Sequence, residues 1–211
     1  MTDRRELLDA LRAAGIRDER VLEAFAEVPR QEFVAPASRR RAYEDVPLPI
    51  PHGLVTTQPS LIARMVEALE LGGDERVLEV GTGYGFQTAL LAYLADDVWS
   101  VERHPDLAEV ARSSLDRLGV GNARVVVADG TEGLPAQSPF DAIVVAAAFP
   151  RVPPPLAGQL AAGGRLVQPI GPGGREEVAL FLQRHGGLRR AAMLTGANFV
   201  RLVGAHGFRE A

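Results

Sequence analysis

The 211-residue chain contains neither cysteine nor lysine; all 23 of its basic side chains are arginine. Without cysteine there are no disulfides, no thiolate nucleophile and no cysteine-ligated zinc or iron–sulfur centre. Without lysine there is no Schiff-base chemistry and no phosphate-gripping P-loop lysine. Histidine is also sparse, and His52, His104, His185 and His206 lie far apart without the spacing of a ligand motif, so no metal is expected. Basic charge is never concentrated. The formal charge is -4, and Arg39-Arg40-Arg41, the one local basic run, reads as a solvated face, so nucleic acid is not an expected partner. No apolar run approaches the roughly 20 residues that span a bilayer. The start, Met1-Thr2-Asp3-Arg4-Arg5-Glu6, is charged and leads into an amphipathic segment, unlike a secretory signal. A cytoplasmic protein without membrane partners is expected.

What is present fits a compact fold. Apolar residues make up 46% of the chain, enough for one sizeable core, and residues 1–211 are expected to form a single domain. Leu7, Leu8 and Leu11, then Val21, Leu22 and Phe25, have helical spacing and predict two short helices. A proline-rich stretch over 35–59 predicts an irregular layer, and Pro59 opens a helix through about Leu71. Residues 1–71 are thus expected to form a helical and irregular layer that covers the site.

From residue 72 the pattern alternates. Strands are expected over 76–80, 98–101, 124–127, 142–145 and 165–170, with helices over 86–94, 106–118 and 156–160. Such alternation predicts an α/β fold with a Rossmann-like, doubly wound, mainly parallel sheet. Residues 177–183 and 188–194 flank a glycine turn and predict an antiparallel C-terminal hairpin, with 199–202 completing its edge.

Ligands of such sheets bind outside the carboxyl ends of the strands. Gly81-Thr82-Gly83-Tyr84-Gly85 follows the first strand, but position 86 is Phe86 where a dinucleotide fingerprint has its third glycine. Three acids stand at successive strand ends: Glu79 in the first strand, Glu102 ending the second and Asp129, before Gly130, ending the third. Glu102 is placed to accept hydrogen bonds from ribose hydroxyls, and Asp129 to accept from an adenine amino group. The set resembles a class I S-adenosylmethionine-dependent methyltransferase, whose cofactor is cationic and free of phosphate.

The amino-terminal blocks narrow the resemblance. Val28-Pro29-Arg30-Gln31-Glu32-Phe33-Val34, Ala42-Tyr43-Glu44-Asp45-Val46-Pro47-Leu48-Pro49-Ile50, His52-Gly53 and Thr57-Gln58-Pro59 resemble the signature order of the protein-L-isoaspartate (D-aspartate) O-methyltransferase family. Later blocks agree, including 77–83, 139–143, Gly163-Gly164-Arg165-Leu166-Val167 and Phe199-Val200, so the likeness runs from about 5 to 204.

That resemblance implies an enzyme that transfers a methyl group from S-adenosyl-L-methionine to the side-chain carboxylate of L-isoaspartyl, and by the family name D-aspartyl, residues in damaged proteins and peptides. The carboxylate is the one the rearranged linkage leaves off the main chain. By position it implies Thr57 as the catalytic hydroxyl that orients the substrate carboxylate. Thr56, Thr57, Gln58, Glu79, Gly81, Gly83, Gly85, Glu102, Asp129 and Gly130 would hold the cofactor, and Phe199, Val200 and Leu202 the substrate backbone. Three departures stand out. Val55-Thr56-Thr57 replaces the usual threonine, isoleucine and serine, while Phe149 and Arg201 stand where small residues or proline are common, in segments expected near the substrate. They leave open a homologue dedicated to one peptide in natural-product maturation, and a cofactor-binding protein without turnover. His52, Tyr43 and Trp99 read as packing or hydrogen-bonding residues, and Tyr84 as a residue that could border the cofactor.

Overall fold

The computed structural model describes residues 3–172 and 174–210. The chain opens with α1 (Arg4–Ala13), where Asp3 and Glu6 each accept the other's backbone N–H as a capping box. Helix α2 (Glu19–Glu27) begins at Asp18, whose carboxylate accepts from the amides of Arg20 and Val21. Two short 3₁₀ turns over 30–33 and 36–41 follow, then a small hairpin of β1 (Pro49–Ile50) and β2 (Leu54–Val55). Helix α3 (Pro59–Glu67) stops short of the expected Leu71 because Glu70 takes a positive φ of 50° before the glycine pair at 72–73.

The α/β layer consists of β3 (Arg76–Val80), α4 (Phe86–Leu94), β4 (Asp97–Glu102), α5 (Pro105–Arg117), β5 (Ala123–Val127), β6 (Phe140–Val145), α6 (Pro154–Gln159), β7 (Leu160–Ile170), β8 (Glu176–Arg184) and β9 (Gly187–Ala197). The sheet order is β5-β4-β3-β6-β7-β8-β9. The strands from β5 across to β7 pair in parallel, and β8 and β9 add an antiparallel edge. The doubly wound reading and the C-terminal hairpin therefore hold.

One placement differs. Residues 199–202 do not extend the β8–β9 edge; Ala148 N donates to Val200 O at 2.7 Å and Leu202 N donates to Ala148 O at 2.8 Å. The buried Glu176 carboxylate accepts the Phe199 amide at 2.8 Å and so draws the chain away from β9, back over the carboxyl end of β6.

Side chains alternate across the strands. Val77 and Val144 join Leu7, Leu11, Phe25 and Phe86 in one core, while Leu78, Ile143 and Leu166 join Phe140 and Leu156 on the opposite face. The amino-terminal helices share the first core with α4 and α5, which fixes their position over the sheet. Among the described residues, no helix is long and apolar enough to cross a membrane.

Candidate active site

Strand order reverses between β3 and β6, and the crevice at their carboxyl ends is the topological switch point. The turn after β3 needs glycine. Gly81 and Gly83 have φ of 96° and 56°, and a Cβ on Gly81 would stand 3.3 Å from that of Ala146. Gly85 serves another purpose: a Cβ there would come within 3.1 Å of the Ala111 Cβ, so it permits α4 to pack on α5 and does not line the crevice.

Three joined cavities run along the crevice. The first, about 660 Å³, lies between β3, β4 and the 200–203 segment and includes Gly130 in its wall. A small middle chamber of about 90 Å³ lies over the glycine turn. The third is a cleft of about 500 Å³ between α3 and the chain following β9. Ala146 and Val200 line all three. Leu54, Gly81 and Glu102 are shared by the first and middle spaces; Val55, Thr56 and Thr57 are shared by the middle space and the cleft.

The three strand-end acids separate once geometry is known. Glu102 is buried, accepts from Gly83 N at 2.9 Å and His104 N at 3.0 Å through different oxygens, and keeps lone pairs for a ligand. Glu79 is fully buried and lines none of the cavities. Its carboxylate accepts from Gln87, Thr88 and Ser100, and Ser100 in turn bonds Thr82, so Glu79 supports the glycine turn from beneath. Asp129 also stands outside the cavity wall. Its oxygens accept from Thr131 N, Thr131 Oγ1 and Ala205 N, tying the carboxyl-terminal loop to β5. Burial works against its charge, but those hydrogen bonds outweigh it and hold the carboxyl below its ordinary value. Gly130 does line the first cavity, and only glycine fits, since a Cβ would lie 2.4 Å from Val80 Cγ1.

Burial pushes the Glu79 carboxyl up to about 7, against the opposing hydrogen bonds from Ser100, Thr88 and Gln87. The unfolded chain releases this proton near 4.5 and the folded chain near 7, so between those values the folded state binds more protons. Stability from this group is therefore largest below about pH 4.5 and declines as pH rises toward 7. Glu79→Gln should remove that decline, so its melting temperature relative to the parent rises between about pH 5 and pH 8. A difference that does not change with pH would contradict the raised value.

The loop before α3 sorts its neighbouring hydroxyls. Thr56 Oγ1 accepts from Leu48 N at 3.1 Å and from Arg30 Nη2 at 3.3 Å, so it belongs to the scaffold. Arg30 is buried and also donates to the carbonyls of Ala42, Glu44 and Val46. Burial lowers its pKa to about 10, with Asp45 and Glu44 opposing, and it remains a cation at neutral pH. The Thr57 hydroxyl has no protein partner among the described residues, and Thr57 stands where the middle chamber meets the cleft. Nor does it cap α3. The residue at the cap is Gln58, without a side-chain capping bond, and Asp45 Oδ1 accepts the Ser60 amide in its place. Gln58 lines the cleft and neither of the other two spaces.

Among the substrate-side expectations, Phe199 and Val200 line the cleft, whereas Leu202 is buried and faces the first cavity. The Leu202 amide is engaged by the Ala148 carbonyl, while the Val200 carbonyl accepts from the Ala148 amide and keeps a second lone pair. Phe149 is buried edge-on against Phe208, and Arg201 lies over the Phe208 ring beside the first cavity; neither lines the cleft. Tyr84 borders the middle chamber. Tyr43 accepts a hydrogen bond from Arg4, and Trp99 donates to Asp97. His52 bonds Asp106 at 2.9 Å and stacks on His104 with ring centroids 4.0 Å apart and planes 9° apart. One ligand-type atom from each of His52, His104 and Asp106 lies within 4.8 Å of the others, so the fold brings together two histidines that the sequence places far apart.

Arg30, Asp45 and Ala146 are the site-forming residues that pattern reading passed over. Arg30 and Asp45 stand within the amino-terminal blocks as ordinary surface-type residues, and only the fold shows what they hold. Ala146, following a buried strand, carried no chemical signal at all.

Comparison with known proteins bears on the whole chain. Residues 2–207 match the family model described as protein-L-isoaspartate(D-aspartate) O-methyltransferase. A protein-L-isoaspartate O-methyltransferase of Methanoculleus marisnigri is 49% identical over 98% of this chain and 94% of its own length. That of Anaeromyxobacter dehalogenans is 51% identical over 94% of this chain and 96% of its own. A solved protein-L-isoaspartate O-methyltransferase is 32% identical with a TM-score of 0.85, covering 97% of this chain and 67% of that one. A Plasmodium falciparum chain crystallised with S-adenosyl-L-homocysteine shares the fold at 22% identity and a TM-score of 0.80, over 96% of this chain and 99% of that one. With a match running from one end of the fold to the other, the chain belongs to the protein-L-isoaspartate (D-aspartate) O-methyltransferase family.

Proposed function

We propose that this chain transfers a methyl group from S-adenosylmethionine to the free carboxylate of L-isoaspartyl residues in damaged proteins and peptides, and that the three joined spaces divide the work. The observation that carries the reading is the position of Thr57, an unpartnered hydroxyl at the junction between the cofactor-side chamber and the peptide-sized cleft. The residues around the first two spaces fit the cofactor. Glu102 offers free lone pairs to a ribose diol, Gly81 and Gly83 let the backbone approach a methionine chain, and Gly130 leaves room for a flat base. Glu79 supports the glycine turn, and Asp129 secures the loop beside the base. When bound, S-adenosylmethionine supplies an electrophilic methyl group on its sulfonium.

The substrate carboxylate is ionised near neutral pH, with a reference pKa of about 4, so no residue here has to act as a general base. Thr57 donates to one carboxylate oxygen and leaves the other free to attack. Leu54, Val55, Phe199 and Val200 form apolar walls that exclude water and hold the reacting groups in line. The ester formed carries a better leaving group than the carboxylate it replaces. The following peptide nitrogen closes a succinimide with loss of methanol, and hydrolysis of the ring returns some normal aspartate without further help from the chain.

General repair, rather than a dedicated peptide, is the substrate range supported by the cleft. Phe149 and Arg201 lie outside it, and its wall is formed by α3, the loop before α3, Ala146 and the chain at and after the end of β9. A panel of unrelated isoaspartyl peptides tests this range. Methylation of most of them is expected; methylation of one alone would assign the chain to a dedicated substrate. Action in the cytoplasm belongs to the same proposal.

A further inference from the structure

Gln58 is held in one amide orientation. Its Nε2 donates to Asp45 Oδ2 at 2.9 Å and to Ser60 Oγ at 3.1 Å. A carboxylate only accepts, so the NH₂ end must face Asp45 and the amide cannot flip. Asp45 is itself fixed, because its other oxygen accepts the Ser60 amide at 2.8 Å at the start of α3. The Gln58 carbonyl oxygen has no protein partner among the described residues, and Gln58 lines only the cleft. The wall beside the Thr57 hydroxyl therefore presents a fixed hydrogen-bond acceptor.

An acceptor there has a chemical match in the substrate. In an isoaspartyl residue the free carboxylate and the residue's own peptide N–H are attached to the same Cα. In an aspartyl residue the carboxylate is one methylene farther from that N–H. We infer that Gln58 accepts the isoaspartyl N–H while Thr57 binds the adjoining carboxylate, and that Asp45 is the positioning residue that keeps the Gln58 carbonyl turned toward the substrate. The pair measures the separation between carboxylate and N–H, which distinguishes the damaged linkage from the normal one. This deepens the proposed function and rests on it.

The test uses two isoaspartyl peptides of one sequence, with the isoaspartyl nitrogen as N–H or N-methyl, against the parent, Gln58→Met and Asp45→Asn. In the parent, N-methylation should lower kcat/KM about tenfold, the scale of one hydrogen bond, mostly through KM. Gln58→Met should show the same loss on the N–H peptide and no further loss on the N-methyl peptide. Asp45→Asn should match it. The carboxamide so introduced sets its NH₂ against that of Gln58, donor to donor, so Gln58 turns its own NH₂ to the cleft while the Ser60 amide keeps its acceptor. Cofactor affinity by calorimetry should stay within about twofold throughout.

Equal cost of N-methylation in the parent and in Gln58→Met would overturn the inference, as would no cost in the parent. A parallel loss of cofactor affinity in Gln58→Met would reassign Gln58 to the cofactor and overturn it too. If Asp45→Asn fails to fold, the cycle between Gln58→Met and the two peptides still decides. A parent that methylates no isoaspartyl peptide would instead remove the underlying reading, which separates the two failures.

Discussion

Thr57→Val should lower single-turnover methylation roughly 10- to 150-fold, the equivalent of about 1.5–3 kcal/mol for a hydrogen bond to a charged group. Its melting temperature and cofactor affinity should stay near those of the parent, because the hydroxyl has no protein partner whose loss would destabilise the fold and valine keeps its shape. Thr57→Ser should retain activity, since the donor remains. Thr56→Val provides the contrast: it leaves the Leu48 amide without its acceptor and Arg30 Nη2 with the Val46 carbonyl alone. That should cost about 1–3 kcal/mol of stability, or several degrees at roughly 2–4 °C per kcal/mol for a chain of this size. Full turnover in Thr57→Val would end the assignment of that hydroxyl to the reaction. A large loss of melting temperature in the same variant would assign it to the scaffold.

Glu102→Ala should weaken both S-adenosylmethionine and S-adenosylhomocysteine by about 1.5–3 kcal/mol, because both carry the same ribose. The effect has two parts. The ribose loses a charged acceptor, and the amides of Gly83 and His104 lose the oxygens that hold the glycine turn against the end of β4. Glu102→Gln should also weaken binding, since its NH₂ must face one of those two amide donors. Titration calorimetry on the three proteins reads the effect directly. Unchanged affinity in Glu102→Ala would remove this carboxylate from the cofactor site.

The residues that sequence patterning located well are those whose position follows from the sheet. Gly81, Gly83, Glu102 and Gly130 stand at strand ends, and a parallel α/β sheet delivers strand ends to one crevice. The same logic places Glu79 near the turn but cannot tell which face its side chain occupies. Period-two alternation sends it to the α4 side, where Gln87, Thr88 and Ser100 enclose it. Asp129 is drawn off by Thr131 and Ala205, the latter 76 residues later in the chain, and no local pattern foretells that contact. Gly85 reads as part of the ligand turn because its signal is composition; its actual constraints are a positive φ of 92° and the approach of α5.

The loop before α3 was legible only through family resemblance. Its order depends on a buried arginine bonded to three carbonyls and a threonine, and on an aspartate that serves a helix lying 15 residues away. Each is a contact between irregular segments, where no periodicity exists to be read. The register of Thr56 and Thr57 is the clearest gain: two adjacent threonines look alike in sequence and both line the cleft, but the structure commits only the Thr56 hydroxyl to the scaffold.

The most direct test follows labelled methyl transfer from S-adenosylmethionine to an isoaspartyl peptide and to its normal aspartyl twin, under single-turnover conditions. The account predicts label on the isoaspartyl peptide alone, later released as methanol when the succinimide closes. Equal labelling of the twins, or no labelling of either by a protein that binds the cofactor, would contradict it.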